Sequence, residues 1–303
     1  MKDNYLKGVV PALVTPLDRS GRNIDNEGLR TLINFQINKG VNGLFTLGSS
    51  GEGVLFDVET RKKVMKLTVD EVNERVPVVF HVGSHRPQEV LDLAEYAVQI
   101  KSNGVAIIPP FYYSLDDSAL FQYFKKIAEK IEIPIYLYNI PSNTKNSISV
   151  PLFKKLADRY PHIIGMKESS MNFENFYELV QSAGETHSTL MGNDEQFLPA
   201  LTMGGSGAVS AGATAIPEPF VALYQAYNNG DMEEAKEWQS ICADVKKMLA
   251  KPYPIGTIKK ALEFRGIISG TVSAPLRQLD EKETNELKQT MLNLGYLNIE
   301  ATN

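Results

Sequence analysis

The chain has 303 residues, 43% of them hydrophobic and 22% charged, with a formal net charge of −5. This is an ordinary globular composition with room for a large core, and an acidic balance without a basic cluster argues against nucleic acid or an anionic membrane surface as a partner. A lone cysteine, Cys242, permits no disulfide within the chain; with no signal-like apolar run and no stretch approaching the ~18 apolar residues of a membrane span, a cytoplasmic protein is expected.

Short apolar runs recur in order: VVPALVTPL (9–17), GLFTLGSS (43–50), VVFHVG (78–83), GVAIIPP (104–110), PIYLYNIP (134–141), IIGMKES (163–169), STLMGND (188–194) and GAVSAG (207–212). Several are rich in Val and Ile without strict alternation, as expected of parallel strands buried on both faces. Between them lie segments of helical period. In 27–39, Leu29, Leu32, Ile33 and Ile37 share a face; in 87–101, Val90, Ala94, Ala97 and Val98 do so, and Pro87 suits a first helical turn. Segments 57–74, 116–130, 149–159, 172–183 and 194–203 also read as helices. Eight strands alternating with helices predict a (β/α)8 TIM barrel over residues 1–216. Residues 217–303, with helices expected at 231–249, 255–265 and 280–294, form a C-terminal helical extension that completes the barrel helices and packs on the barrel.

In such barrels the active site lies at the C-terminal ends of the strands. Lys167 stands at that end of the sixth run, a long cation closing an apolar strand. It could snorkel to solvent, or be an amine held in a partly apolar pocket to attack a carbonyl. The same end carries GSSGEG (48–53), Tyr138 and Asn139, and Asn193 and Asp194. GSSGEG supplies hydroxyls and backbone N–H groups that could hold a carboxylate; alternatively it is a glycine-permitted turn with a serine cap. Tyr138 could carry a proton beside an amine, or be a core tyrosine with a satisfied hydroxyl. Tyr112 and Tyr113 could line a pocket or make a subunit contact. His81 and His85, four apart across a strand–loop junction, have no acidic partner at a metal-ligand spacing. No phosphate-loop or dinucleotide fingerprint appears in a strand-to-helix context. Neither a metal nor a cofactor is therefore expected.

Taken together, GVVPALVTPL, GSSGEG, PPFYY, YNIP, GMKES, GNDE and APLRQL, in this order along nearly the whole chain, resemble the dihydrodipicolinate synthase/N-acetylneuraminate lyase family of pyruvate-dependent class I aldolases. The resemblance implies that Lys167 forms a Schiff base with a 2-oxo acid and that Tyr138 shuttles the proton at the new carbon–carbon bond. It implies that Ser49 and Ser50 bind the carboxylate and pass protons, and that Tyr112 completes this relay in a neighbouring subunit of a homotetramer (a dimer of dimers). It further assigns substrate binding to Gly51, Asn143, Ser169, Gly192, Asp194, Glu195 and Val209.

Departures from the family's patterns bear on the substrate. In the synthases YN(V/I)P is followed after one residue by an arginine that binds the semialdehyde carboxylate; here Asn143 stands there, and an amide cannot replace a guanidinium's two-pronged grip. Phe111 replaces their lysine-feedback tyrosine. The sialic acid lyases match better at Asp194 and Glu195, which suit sugar hydroxyls, but carry a serine where this chain has Ala211. The expected reaction is therefore reversible cleavage of a 2-keto-3-deoxy sugar acid (2-keto-3-deoxygluconate type) to pyruvate and an aldehyde. N-acetylneuraminate lyase, then dihydrodipicolinate synthase, then a non-catalytic oxo-acid sensor are the alternatives.

Overall fold

A computed structural model describes residues 5–297. Eight short strands are buried along their whole length: β1 (Gly8–Pro11), β2 (Leu44–Thr46), β3 (Val78–His81), β4 (Gly104–Ile107), β5 (Ile135–Asn139), β6 (Ile163–Glu168), β7 (Ser188–Met191) and β8 (Gly207–Ser210). All pair in parallel, in the order β1-β8-β7-β6-β5-β4-β3-β2. A parallel bridge from Ala12 to Phe45, with Leu13 N–H donating to Phe45 O at 2.9 Å, links the first strand to the second and closes the ring. The expected (β/α)8 barrel is thus present.

The enclosing helices are α1 (Asn26–Asn38), α2 (Val58–Val72), α3 (Pro87–Gln99), α4 (Asp117–Ala128), the short α5 (Pro141–Thr144), α6 (Val150–Arg159), α7 (Phe173–Ala183), α8 (Phe197–Thr202), the short α9 (Gly212–Ala215) and α10 (Glu218–Asn228). Three more follow: α11 (Met232–Leu249), α12 (Pro254–Phe264) and α13 (Glu281–Asn293). Their starts are written in the sequence. Asp25, Asp57, Asp116, Ser149, Asn172, Asp231 and Asp280 each cap a helix by accepting a hydrogen bond from a backbone N–H, a contact worth ~1 kcal/mol each. The sequence reading missed α10, which opens on Glu218-Pro219 and buries Phe220, Leu223 and Ala226. Its apolar residues are spread around the helix, because it is packed between the barrel and α11, so the one-sided stripe of a surface helix is weak there.

Alternation along the strands sorts side chains into two cores. Val9, Leu44, Phe80, Val105, Leu137 and Met166 point outward to the helices, whereas Val10, Phe45, Val79, Ala106, Tyr136, Tyr138 and Val209 fill the barrel. Leu6 closes the bottom: its N–H donates to the Tyr136 hydroxyl at 2.8 Å and its carbonyl accepts from Ser188 Oγ at 2.7 Å. One irregularity decides what the top looks like. Ile135 pairs with Ile163 but Tyr136 pairs with Gly165, so β6 carries one extra residue, Ile164. This bulge resets the alternation: Ile164 faces the barrel, Met166 faces the helices, and Lys167 faces the barrel beside Tyr138.

Candidate active site

The lysine at the end of β6 is buried, and its Nζ lies 3.9 Å from the centre of the Tyr138 ring and 4.5 Å from that of Phe45. Among the described residues no carboxylate comes within ion-pairing distance of it. The snorkelling alternative is therefore wrong: the side chain runs into the barrel, because the bulge aims it there. Glu168, the next residue, points the other way and accepts from Asn139 Nδ2 (2.7 Å), Asn175 Nδ2 (2.5 Å) and Ser170 N–H (2.5 Å). These bonds tie β5, β6 and α7 together directly behind the amine. Nothing in the spacing of Asn139, Glu168 and Asn175 had marked them as a group.

Ser49 and Ser50 sit on the loop after β2, Ser49 exposed and Ser50 half-buried. The loop's shape is forced. Leu47 and Glu52 adopt left-handed conformations at φ 58° and 57°. A Cβ on Gly53 would stand 1.8 Å from Leu47 O, and one on Gly51 2.8 Å from Leu13 O. These glycines are required by the packing of backbone on backbone. Thr15 Oγ1 donates to Gly51 O at 2.6 Å and fixes the loop to the end of β1. Glu52 is turned inward to a buried ion pair with Lys259 of α12, and its second oxygen accepts Ser273 N–H at 2.6 Å. The C-terminal extension thus holds the serine loop from beneath.

The two acidic residues of GNDE part company. Asp194 is buried and accepts Gly212 N–H at 3.0 Å, with burial pushing its carboxyl above the usual range. Glu195 is exposed and pairs with Lys246 of α11 at 2.9 Å. Ser169 Oγ is buried without a hydrogen-bond partner among the described residues, and a Cβ on Gly192 would stand 1.8 Å from it. Val209 lies in the barrel core with Tyr138. Tyr112 is 77% exposed at φ 87° and packs edge-on to Tyr113, at 5.0 Å between ring centres. Within one chain it is remote in character from the buried cluster.

A cavity of about 350 Å³ opens at the same end of the barrel; its wall includes Ser49, His81, Ile108, Phe111, Ile140 and Asn143, while Lys167 and Tyr138 are not among its lining residues. Asn143 is exposed at its rim on α5. His81 and His85 diverge: His85 is exposed and packs edge-on to Phe111, whereas His81 enters the barrel and stands edge-on to Tyr138, with 6.0 Å between ring centres. The guanidinium of Arg61, itself buried on α2, donates to His81 O at 2.7 Å and Gly83 O at 3.1 Å. Burial lowers its pKa to about 10, so it remains a cation at neutral pH. Arg61 lies within the segment 57–74 of helical period, and the packing of α2 against β3 buries it.

A closed (β/α)8 barrel with an unpaired amine lying on two aromatic faces at the C-terminal end of its strands has the arrangement of an aldolase-type lyase, which makes or breaks carbon–carbon bonds. The comparisons agree. The model of the dihydrodipicolinate synthetase family matches residues 5–294, and the chain belongs to that family of pyruvate-dependent class I aldolases. It is 34% identical over 295 residues to a 4-hydroxy-tetrahydrodipicolinate synthase of Methanopyrus kandleri, covering 96% of this chain and 97% of that one. It is 35% identical over 293 residues to an uncharacterized DapA-like lyase of Halobacterium salinarum, covering 96% and 95%. Among solved structures, YagE of Escherichia coli K12, a prophage protein of the dihydrodipicolinic acid synthase family in complex with pyruvate, superposes with a TM-score of 0.92 at 30% identity, covering 96% of this chain and 99% of that one. No helix of the described residues is long and apolar enough to cross a membrane.

Proposed function

We propose that the chain is a Schiff-base aldolase that joins pyruvate reversibly to an uncharged, hydroxylated aldehyde, giving a 2-keto-3-deoxy sugar acid. The observation that carries this reading is the Lys167 amine, buried on the faces of Tyr138 and Phe45 with no described carboxylate pairing it. An unprotonated amine attacks the keto carbon of pyruvate and water leaves, giving an iminium. The iminium withdraws electrons, so a proton leaves the methyl carbon and the resulting enamine attacks the aldehyde carbon. The aldehyde oxygen takes a proton, which we assign to the Tyr138 hydroxyl, and water then releases the product and the free lysine. Ser49 and Ser50 would hold the pyruvate carboxylate through hydroxyls and loop N–H groups.

The acceptor is read from the cavity wall. Apart from Glu52 its lining is uncharged, and neither a lysine nor an arginine is among its residues. Asn143, at the rim, offers an amide and no cationic grip on a carboxylate. A neutral polyhydroxy aldehyde suits that lining better than an amino acid semialdehyde does. Asp194, with its carboxylate turned to Gly212 N–H, is assigned to shaping the β8–α9 turn, and direct sugar contact falls to the cavity wall.

A second reading, 4-hydroxy-tetrahydrodipicolinate synthase, is favoured by the names of the relatives in Methanopyrus kandleri and Methanocaldococcus jannaschii, the latter 35% identical over 292 residues. Tyr112 and Tyr113, bare on one chain, support assembly into a homotetramer in which Tyr112 enters a neighbouring site. Borohydride reduction in the presence of pyruvate, followed by mass spectrometry of the peptide spanning 163–170, tests the class: an adduct on Lys167 is expected, and its absence from folded protein would overturn it. Comparing glyceraldehyde with aspartate semialdehyde as acceptors then separates the two readings, with glyceraldehyde expected to be preferred.

A further inference from the structure

We infer that His81 is the acceptor-specificity residue of this site: a neutral imidazole whose free Nε2 accepts a hydrogen bond from a hydroxyl group of the aldehyde. The inference rests on the aldolase reading above and goes beyond it by naming the group that distinguishes a hydroxylated acceptor from a plain one.

The tautomer follows from geometry. Nδ1 of His81 lies 3.0 Å from the carbonyl oxygen of Leu47, which can only accept, so Nδ1 carries the hydrogen. In a neutral ring Nε2 is then a bare lone pair. The ring's neutrality has a structural cause: it is buried, the Arg61 guanidinium bearing on it is cationic, and no carboxylate pairs with it among the described residues. A second proton would put a further positive charge beside the Arg61 guanidinium in the same dry space.

Nε2 has no hydrogen-bond partner among the described residues. Buried polar atoms are almost always satisfied, so an orphan beside a cavity marks a place where a ligand donor belongs. A Cβ on Gly83 would stand 2.6 Å from Nε2 and 2.6 Å from Ile108 Cγ1. Only a glycine fits at 83 against that nitrogen and Ile108, another residue of the cavity wall, without a side chain covering Nε2. Arg61, bonded to the carbonyls of residues 81 and 83, fixes the backbone on both sides of Val82. The imidazole is held by its own Nδ1–H, by edge-on packing against Tyr138, and by this clamp. Such a preset acceptor in an otherwise mostly apolar wall penalises any ligand that covers it without offering a hydrogen.

The test measures kcat/KM for condensation of pyruvate with glyceraldehyde and with propanal, in the wild type, His81→Phe and His81→Gln. The pyruvate–borohydride adduct is quantified in each. Phenylalanine keeps the ring and removes both nitrogens; glutamine places a carbonyl acceptor near the position of Nε2. The expected result is a wild-type preference for glyceraldehyde that falls ~10–100-fold in His81→Phe and is largely retained in His81→Gln, with adduct yields unchanged. An equal loss for both aldehydes in His81→Phe, or the same collapse of the preference in His81→Gln, overturns the inference. So does a wild type that does not distinguish the two aldehydes, a result that stands even if a variant fails to fold. Absence of the pyruvate adduct in the wild type instead overturns the aldolase reading itself.

Discussion

Removing the cation beneath the serine loop should cost the protein a large share of its stability. Glu52 and Lys259 pair with both side chains fully buried, and each has one further partner: Ser273 N–H donates to Glu52 at 2.6 Å, and Lys259 donates to Thr271 O at 2.9 Å. In Lys259→Met the methionine fills the space, but the Glu52 carboxylate is left in a dry site with one N–H. Breaking a buried pair from one side costs ~3–5 kcal/mol, because a buried charge loses its compensation. The same substitution in an exposed pair such as Lys66–Asp70, with side chains 55% and 49% exposed, should cost under ~1 kcal/mol. The double variant Glu52→Gln/Lys259→Met removes both charges and should recover most of the loss. Guanidinium unfolding followed by the single tryptophan, Trp238, measures each midpoint, and the double-mutant cycle gives the coupling. Because Glu52 belongs to the loop carrying Ser49 and Ser50, the rate of adduct formation with pyruvate should fall and recover in parallel. A single substitution costing less than ~1 kcal/mol, or a double variant weaker than the single, would refute the reasoning.

Three further outcomes are expected. Gly53→Ala places a Cβ 1.8 Å from Leu47 O, so the loop must move; a lowered unfolding midpoint and a raised KM for pyruvate should follow, and unchanged values for both would show the loop is not rigid. Tyr138→Phe should preserve borohydride trapping of pyruvate while turnover falls by at least ~10²-fold, the contribution typical of a positioned acid or base; near-normal turnover would remove Tyr138 from proton transfer. The third concerns acid. Burial lowers the His81 pKa from 6.5 to about 3 in the folded protein, so between these values the unfolded chain binds the proton more readily. Stability due to this group is therefore complete above pH 6.5 and is lost as pH falls toward 3. In His81→Gln the unfolding midpoint should decline less steeply across that window; parallel curves would show that the wild-type imidazole is not held neutral.

Much of the fold is legible in the sequence because parallel strands covered on both faces must be apolar along their length. VVFH, IYLYN and the other runs leave no alternative that buries them as well. Capping residues such as Asp57 and Asp116 mark helix starts for an equally local reason, the need to satisfy N–H groups that the helix leaves free. The missed α10 shows the limit: its neighbours supply apolar surface on several sides, so its own sequence lacks a clear stripe.

The sequence by itself placed Lys167, Tyr138 and the Ser49 loop at one end of the barrel, since strand order and strand ends are enough to do so. It did not tell where their side chains point. That depends on the bulge at Ile164, which turns Lys167 into the barrel and Glu168 out toward α7, and a bulge is a property of two paired strands. Nor could spacing separate Asp194 from Glu195, one residue apart yet committed to Gly212 and to Lys246 on different elements. The burial of Arg61, the pairing of Glu52 with Lys259 across 207 positions, and the free Nε2 of His81 belong to the same class. Charge and hydrogen-bond satisfaction are settled by whatever the rest of the chain brings alongside, and only the closed barrel brings it.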